Sequence, residues 1–352
     1  MTPTTDEAAP LRDLTAALPT GWTADTPGEA DASELTALLR QHEEGGRGWP
    51  GATEADLLVD ISPKDGETRE NVVIRGEDGA VLGWGSAHDR AAGRMLLAMT
   101  VDHALDRETA NRVAELLFGW ADAVARVIGA RRDLDVQQID SGAFADDLRQ
   151  HGWLERAGFT KVRTWWQMSR PVEPEEAALD ADANEGVRIR PVERQGTGMP
   201  DEDDLRTVHD ILESAFADHF NSHEETFDEF VSRLREDPGH RWDHWWIAEL
   251  VDDDEPEPAG ALVAAVTTGG GGEPDGSYVE YIGVLQNARG RGVAKSLLNT
   301  VVADAAERSR DRVGLEVDAD SPTGADQLYV SMGWKTKYVT ESWHRNVPVT
   351  GS

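Results

Sequence analysis

Two stretches of the chain lie over each other without a gap: "WLERAGFTKVRTWWQMSR" (153–170) and "LYVSMGWKTKYVTESWHR" (328–345). Gly158 meets Gly333, Phe159 meets Trp334 and Arg170 meets Arg345. A repeat at that distance divides the 352 residues into two domains of ordinary size. Each copy also closes a similar order of elements.

In the first half, Ala32–Glu43 puts Leu35, Leu38 and Leu39 on one helical face. "NVVIRGEDGAVLGWGS" reads as strand, Asp-Gly turn, strand, and "RMLLAMTV" as a further strand. Arg107–Val127 is helical through Val113, Leu116, Leu117 and Trp120; a strand around "DLDV", a helix across 143–157 and the strand "VRTWWQMS" follow. In the second half the order is "VRIRPV", a helix over Asp204–Ala217, a helix over Phe227–Leu234, and the hairpin "WWIAELV"/"AGALVAAV". Then come the strand "SYVEYIGVL", a helix over 293–308, the strand "RVGLEV", a helix over 322–332 and the strand "KYVTESWHR". The fold class is α/β, with two tandem domains, each a mixed, mostly antiparallel sheet flanked by helices. "PVEPEEAALDADANEG" (171–186) reads as an exposed acidic linker between domains 1–170 and 187–352.

Acidic residues outnumber basic ones 67 to 34, for a formal net charge of -33. Such a surface repels nucleic acid and anionic membranes and attracts an amine-bearing substrate. There is no cysteine, which excludes disulfides, thiolate nucleophiles and cysteine-bound metals. The start, "MTPTTDEAAPLRDL", lacks the pattern of a secretory signal, and residues 1 to about 18 read as a loose tail. No stretch approaches the ~20 apolar residues that span a bilayer. The expectation is a cytoplasmic protein, monomer or homodimer.

Against that charge, "GVLQNARGRGVAKSLL" (283–298) gathers Arg289, Arg291 and Lys295. Val293, Ala294, Leu297, Leu298, Val301, Val302 and Ala305 recur at helical spacing, so the cations sit at a helix start. Gly290 and Gly292 let the backbone turn tightly and bring N–H groups near a ligand. Unpaired amides, a helix dipole and three cations suit a pyrophosphate. Neither G-x-G-x-x-G nor G-K-[ST] is present. Of the histidines, His240 and His244 in "HRWDH" stand at i, i+4, and His219 and His223 lie upstream; no metalloprotease pattern surrounds them, and no metal is expected. Trp242, Trp245 and Trp246 read as packing residues.

"RGRGVA" resembles the [Q/R]-x-x-G-x-[G/A] pyrophosphate loop of the GCN5-related N-acetyltransferases, and "SPTGADQLYVSMGW" resembles that family's later motif. The resemblance covers Val187 to the C-terminus; the first half shares element order and the closing motif. The tandem layout, with "AFADHF" ahead of "TFDEF", looks most like mycothiol synthases and their actinobacterial relatives. The resemblance implies an acyl-CoA-dependent N-acyltransferase, most simply one moving acetyl from acetyl-CoA to a small amine. A protein N-terminus or lysine is the alternative acceptor, and a non-catalytic acyl-CoA-binding protein the alternative class.

It further implies that acetyl-CoA lies in a splay between "EYIGVL" and "GLEV", bound by Arg289, Gly290, Arg291, Gly292, Val293 and Ala294. The backbone N–H of Val284 or Leu285 would polarise the thioester carbonyl. Glu280 is the expected base and Tyr329 the group facing the leaving sulfur. Ser321 stands where the family often carries Asn, and Asp218, His219 and Phe220 fall in the acceptor-lining region. The equivalent turn of the first half, "VDHALDRETANR", has no glycine, and Asp106 and Glu108 flank Arg107; Leu154 occupies the tyrosine position. That half is expected to be catalytically silent.

Overall fold

The computed structural model describes residues 8–62, 69–90, 94–179, 186–194, 196, 198–217, 226–236, 240–251, 256–269, 274–321 and 324–349. They form two compact units that do not follow chain order. The first holds residues 1–165 and 338–352, the second 166–337.

In the first unit the sheet runs β1 (Thr23–Asp25), β2 (Arg69–Arg75), β3 (Val81–Arg90), β4 (Arg94–Val101), β5 (Val136–Phe144), β12 (Lys335–Pro348) and the first half of β6 (Thr160–Pro171). β4 and β5 are parallel; β2, β3 and β4 are antiparallel neighbours. Alternation along β2 serves both faces. Val72 and Ile74 pack with α4 (Arg107–Arg131), whereas Val73 packs with α2 (Ala32–Arg47) and α3 (Glu54–Ile61). Three of these elements depart from the sequence reading. α1 (Ala9–Ala17) replaces part of the expected loose tail, because Leu14 buries against the core that includes α4. α3 was not anticipated, although Thr53 and Asp56 cap it reciprocally. β5 runs further than the strand read around "DLDV" and delays α5 to Leu148–Arg156. Its buried positions include Gln137 and Ser141, whose polarity hides the alternation.

In the second unit the order is β6, β11 (Arg312–Asp318), β10 (Gly276–Val284), β9 (Glu257–Thr267), β8 (His240–Leu250) and β7 (Val187–Pro191). Only the β10/β11 pair has a parallel register in this unit's described pairings; β7 to β10 are antiparallel in succession. Leu262 and Ala264 of β9 join α8 (Val293–Glu307) in one core, while Ala261 and Val263 join α6 (Glu202–Phe216) and α7 (Phe227–Glu236) in another. A strand buried on both faces needs an unbroken apolar run, and "AGALVAAV" is one.

The repeat noticed in the sequence has a crossed structural counterpart. In the first unit, Gly158 is left-handed (φ 82) and Arg345 of β12 stacks over the Phe159 ring at 5.0 Å. In the second, Gly333 is left-handed (φ 97) and Arg170 of β6 stacks over Trp334 at 5.5 Å. Each corner is thus met by the arginine that ends the other copy's repeat. Among the described residues, no helix is long and apolar enough to cross a membrane.

Candidate active site

The turn that carries Arg289 to Gly292 forms where β10 gives way to α8. A single turn, Gln286–Ala288, leaves the strand; Ala288 is buried and anchors it, while Arg289 and Gly290 are exposed. Gly290 (φ 77) and Gly292 (φ 83) are both left-handed, a conformation costly for any side chain with Cβ. Gly292 is the N-cap of α8 and has no side chain of its own with which to cap the helix. Below the loop, Val293 and Leu297 are buried. The amides of the first turn and the side chains of Arg289 and Lys295 therefore stand at the surface end of a firmly packed helix. Ser321 sits in the turn after β11, its N–H donating to the Asp318 carbonyl at 3.2 Å.

β10 carries a bulge. Val279 opposes Ala264 and Tyr281 opposes Val263, so Glu280 is the extra residue. Pairing between β10 and β11 also ends at Val279 and Leu315, so the strands part where the bulge begins. Bulges re-aim side chains in this way beside active sites. Glu280 faces His240, with Oε2 3.4 Å from Nδ1. The Trp245 indole N–H donates to His240 Nε2 at 3.2 Å, which leaves the ring proton on Nδ1, pointing at the carboxylate. His240 is buried, and this Trp–His–Glu chain holds the Glu280 carboxylate in one orientation. The sequence reading had weighed His240 only as a metal ligand. The signal available was the pairing of "HRWDHW" with "VEY" across a common neighbour strand, which one-dimensional spacing does not reveal.

The Leu285 N–H donates to the Ala259 carbonyl at 2.9 Å. Leu285 is therefore in a hydrogen-bonded pair of the β9/β10 ladder, and the next residues with amides on the opposite side are Val284 and Ile282. Those amides point to the β11 side, where pairing has ended.

Tyr329 lies on α9 (Ala325–Ser331), buried at 8% exposure with its ring 6.3 Å from Trp334, edge on. Burial pushes its phenol up to about 12. Tyr329, Val293 and Ala288 share one core, against which Ile282 and Val284 pack. Asp218, His219 and Phe220 lie outside the described residues, as does His223. His244 contacts Asp243 at 2.6 Å and not His240.

The corresponding places in the first unit are occupied by its own side chains. Asp106 caps α4, accepting from the Glu108 and Thr109 amides at 2.9 and 3.1 Å. β4 and β5 pair only over Arg94–Leu97 and Gln138–Ser141. Beyond that, Arg149 donates to the Val101 carbonyl at 3.2 Å and Gln150 to the Gly142 carbonyl at 3.1 Å. Leu154, at the tyrosine position, is fully buried.

Known proteins share sequence and fold with this chain. The profile of the acetyltransferase (GNAT) family matches residues 205–334. A mycothiol acetyltransferase of Thermobispora bispora is 28% identical over 219 residues, 59% of this chain and 68% of its own. Another, from Saccharopolyspora erythraea, is 26% identical over 288 residues, 78% of this chain and 86% of its own. A solved tandem GNAT protein from the clavulanic acid biosynthesis pathway has the same fold, with a TM-score of 0.69 at 14% identity, covering 94% of this chain and 99% of that one. The chain thus carries a segment that matches the GNAT acetyltransferase family within its second unit, and it shares the fold of a solved tandem GNAT protein over nearly its whole length.

Proposed function

We propose that the second unit transfers an acetyl group from acetyl-CoA to the primary amine of a small molecule, by direct attack within a ternary complex. The observation that carries the proposal is the contrast between two helix starts. α4 is sealed by the carboxylate of its own N-cap residue, Asp106, whereas the N-cap of α8 is Gly292, which brings no carboxylate and has arginines beside it. An anion at α8 supplies what a capping carboxylate supplies at α4. Gly290, Gly292, Val293 and Ala294 offer backbone to the pyrophosphate, and Arg289 and Arg291 offer charge. Ser321 takes the place of the family's asparagine.

In this reading the neutral amine nitrogen attacks the thioester carbon, the C–S bond breaks, and the nitrogen loses a proton. The Val284 N–H faces the oxygen on which charge develops. Glu280, oriented by His240, accepts the amine proton directly or through water. Tyr329 acts on the departing sulfur as a hydrogen-bond donor. Handing its proton to an ordinary thiolate, pKa ~8.5, would be uphill by about 5 kcal/mol, so the phenol keeps it. The acetyltransferase relatives named for mycothiol favour a small-molecule acceptor over a protein. The first unit, with its cap and splay filled, contributes no second acyl-transfer centre.

Thermal denaturation with acetyl-CoA tests the seat, and thiol release across a panel of small amines tests the chemistry. A ligand at 100 times its Kd adds about 2.7 kcal/mol to stability. Tyr329→Phe should lower kcat on the order of 10–100-fold while leaving acetyl-CoA affinity nearly unchanged. No thermal shift overturns the proposal. A shift with release only in the presence of peptides moves the acceptor to a protein.

A further inference from the structure

We infer that the first unit carries a binding site for a divalent transition-metal ion of the zinc class, formed by His42, His103 and Asp147. The three offer one ligand atom each, and those atoms lie within 4.8 Å of one another. They come from three separate elements. His42 is on α2, His103 follows the end of β4, and Asp147 is the N-cap of α5. They meet at the mouth of the β4/β5 splay, the place in this unit that corresponds to the coenzyme cleft of the second.

The surrounding structure is built to hold these rings. His103 donates its backbone N–H to the Gln41 side chain at 3.1 Å, which fixes the residue. His103 Nε2 is buried and has no hydrogen-bond partner among the described residues, an orphaned polar atom that a metal ion would satisfy. Two adjacent glycines, Gly45 and Gly46, sit inside α2, where each costs roughly a kcal/mol relative to alanine. A Cβ on Gly45 would come within 2.6 Å of the His103 ring, and one on Gly46 within 1.9 Å of the Phe144 ring. Helix stability is given up where the two rings must approach. Phe144 then walls the site, its ring 5.3 Å from that of His42. The capping bonds of Asp147 both use Oδ1.

The chemistry selects the ion. Two imidazole nitrogens and one carboxylate oxygen make a mixed donor set that suits a borderline ion better than a hard one. Arg149 also opposes any cation held mainly by charge, so Mg2+ and Ca2+, which need several oxygen ligands, are disfavoured. Zn2+ and Co2+, bound through imidazole nitrogen at ~2.0–2.1 Å, fit two His and one carboxylate with a position open for water. Bound there, the ion would tie α2, the β4–α4 turn and the start of α5 together.

The test uses the full chain, stripped with chelator and dialysed. Zn2+ is titrated calorimetrically and metal content measured by mass spectrometry, with Co2+ absorption reporting geometry. One Zn2+ per chain, a rise in Tm and an intense visible Co2+ band are expected. His42→Ala and His103→Ala should each weaken binding at least 10-fold. Asp147→Asn retains a capping residue yet should weaken it too. His209→Ala, in the second unit, should bind as the parent does. Should an alanine variant unfold, as judged by circular dichroism, His42→Gln and His103→Gln replace it. Failure to bind Zn2+, or equal binding by folded His42 and His103 variants, overturns the inference. Since the readout is binding alone, either result leaves acetyl transfer by the second unit untouched.

Discussion

At the scale of single residues, position in the fold decides what a side chain does. Tyr329 and Leu154 occupy matched places in the repeat, yet only one carries a hydroxyl. His244 shows the same dependence on surroundings. It is almost wholly buried, 2.6 Å from Asp243, near Arg308 and Arg310. Burial first, then the two guanidinium groups, lowers its pKa from 6.5 to about 4. Above pH 6.5 the folded and unfolded chains are both neutral here, and the contribution to stability is complete. As pH falls from 6.5 towards 4, only the unfolded chain gains the proton, so the fold loses stability. The loss is on the order of 3 kcal/mol at most. Denaturant melts at pH 7 and pH 4.5 should show it, and His244→Gln should flatten the slope; an unchanged slope would refute the assignment.

At the scale of elements, the first turn of α8 is where the fold meets the proposed function. Gly292→Ala forces a side chain into a left-handed N-cap and should cost about 1–2 kcal/mol. It should also weaken acetyl-CoA binding, and calorimetry reads both effects; a variant as stable as the parent would show that the turn relaxes freely. This helix was legible in the sequence because Val293, Leu297, Val301 and Ala305 recur at its period and every one is buried. Strand β4 was legible to the residue, since "RMLLAMTV" is apolar and bounded. β5 was not, because buried Gln137 and Ser141 break the apolar pattern that marks a strand. The bulge at Glu280 was also hidden. Its cause is a mismatch of register with β9, and no residue type in "YVEYI" announces one. Glu280 itself could be picked out by its place ahead of the loop, whereas His240 could not, since its partnership spans forty residues of chain.

At the scale of the whole molecule, self-comparison exposed the duplication but not which sheet each closing strand joins. Matching Arg170 to Arg345 is equally compatible with either arrangement, because the two strands are alike. In the structure β12 pairs with β5 from Thr340–Phe144 to Pro348–Val136, and Lys161 and Trp165 bond to Glu341 and Ser342. Chains cut within 180–185 should therefore not yield two sound halves. The fragment up to 182 would lack the strand on β5 and the Arg345 stack on Phe159. It should show no cooperative melt alone and should regain one when mixed with the remainder. A sharp melt of the fragment alone would refute this.

The same crossing sets an order of events during synthesis. Ribosomes elongate at ~5–20 residues per second, so the segment between Trp165 and Tyr338 takes roughly 10–35 s to emerge. Through that interval the amides and carbonyls of β5 on that edge face water or a chaperone without their neighbour. The unit whose strands lie within 166–337 is complete first, and the other must wait until residues 338–348 have been made.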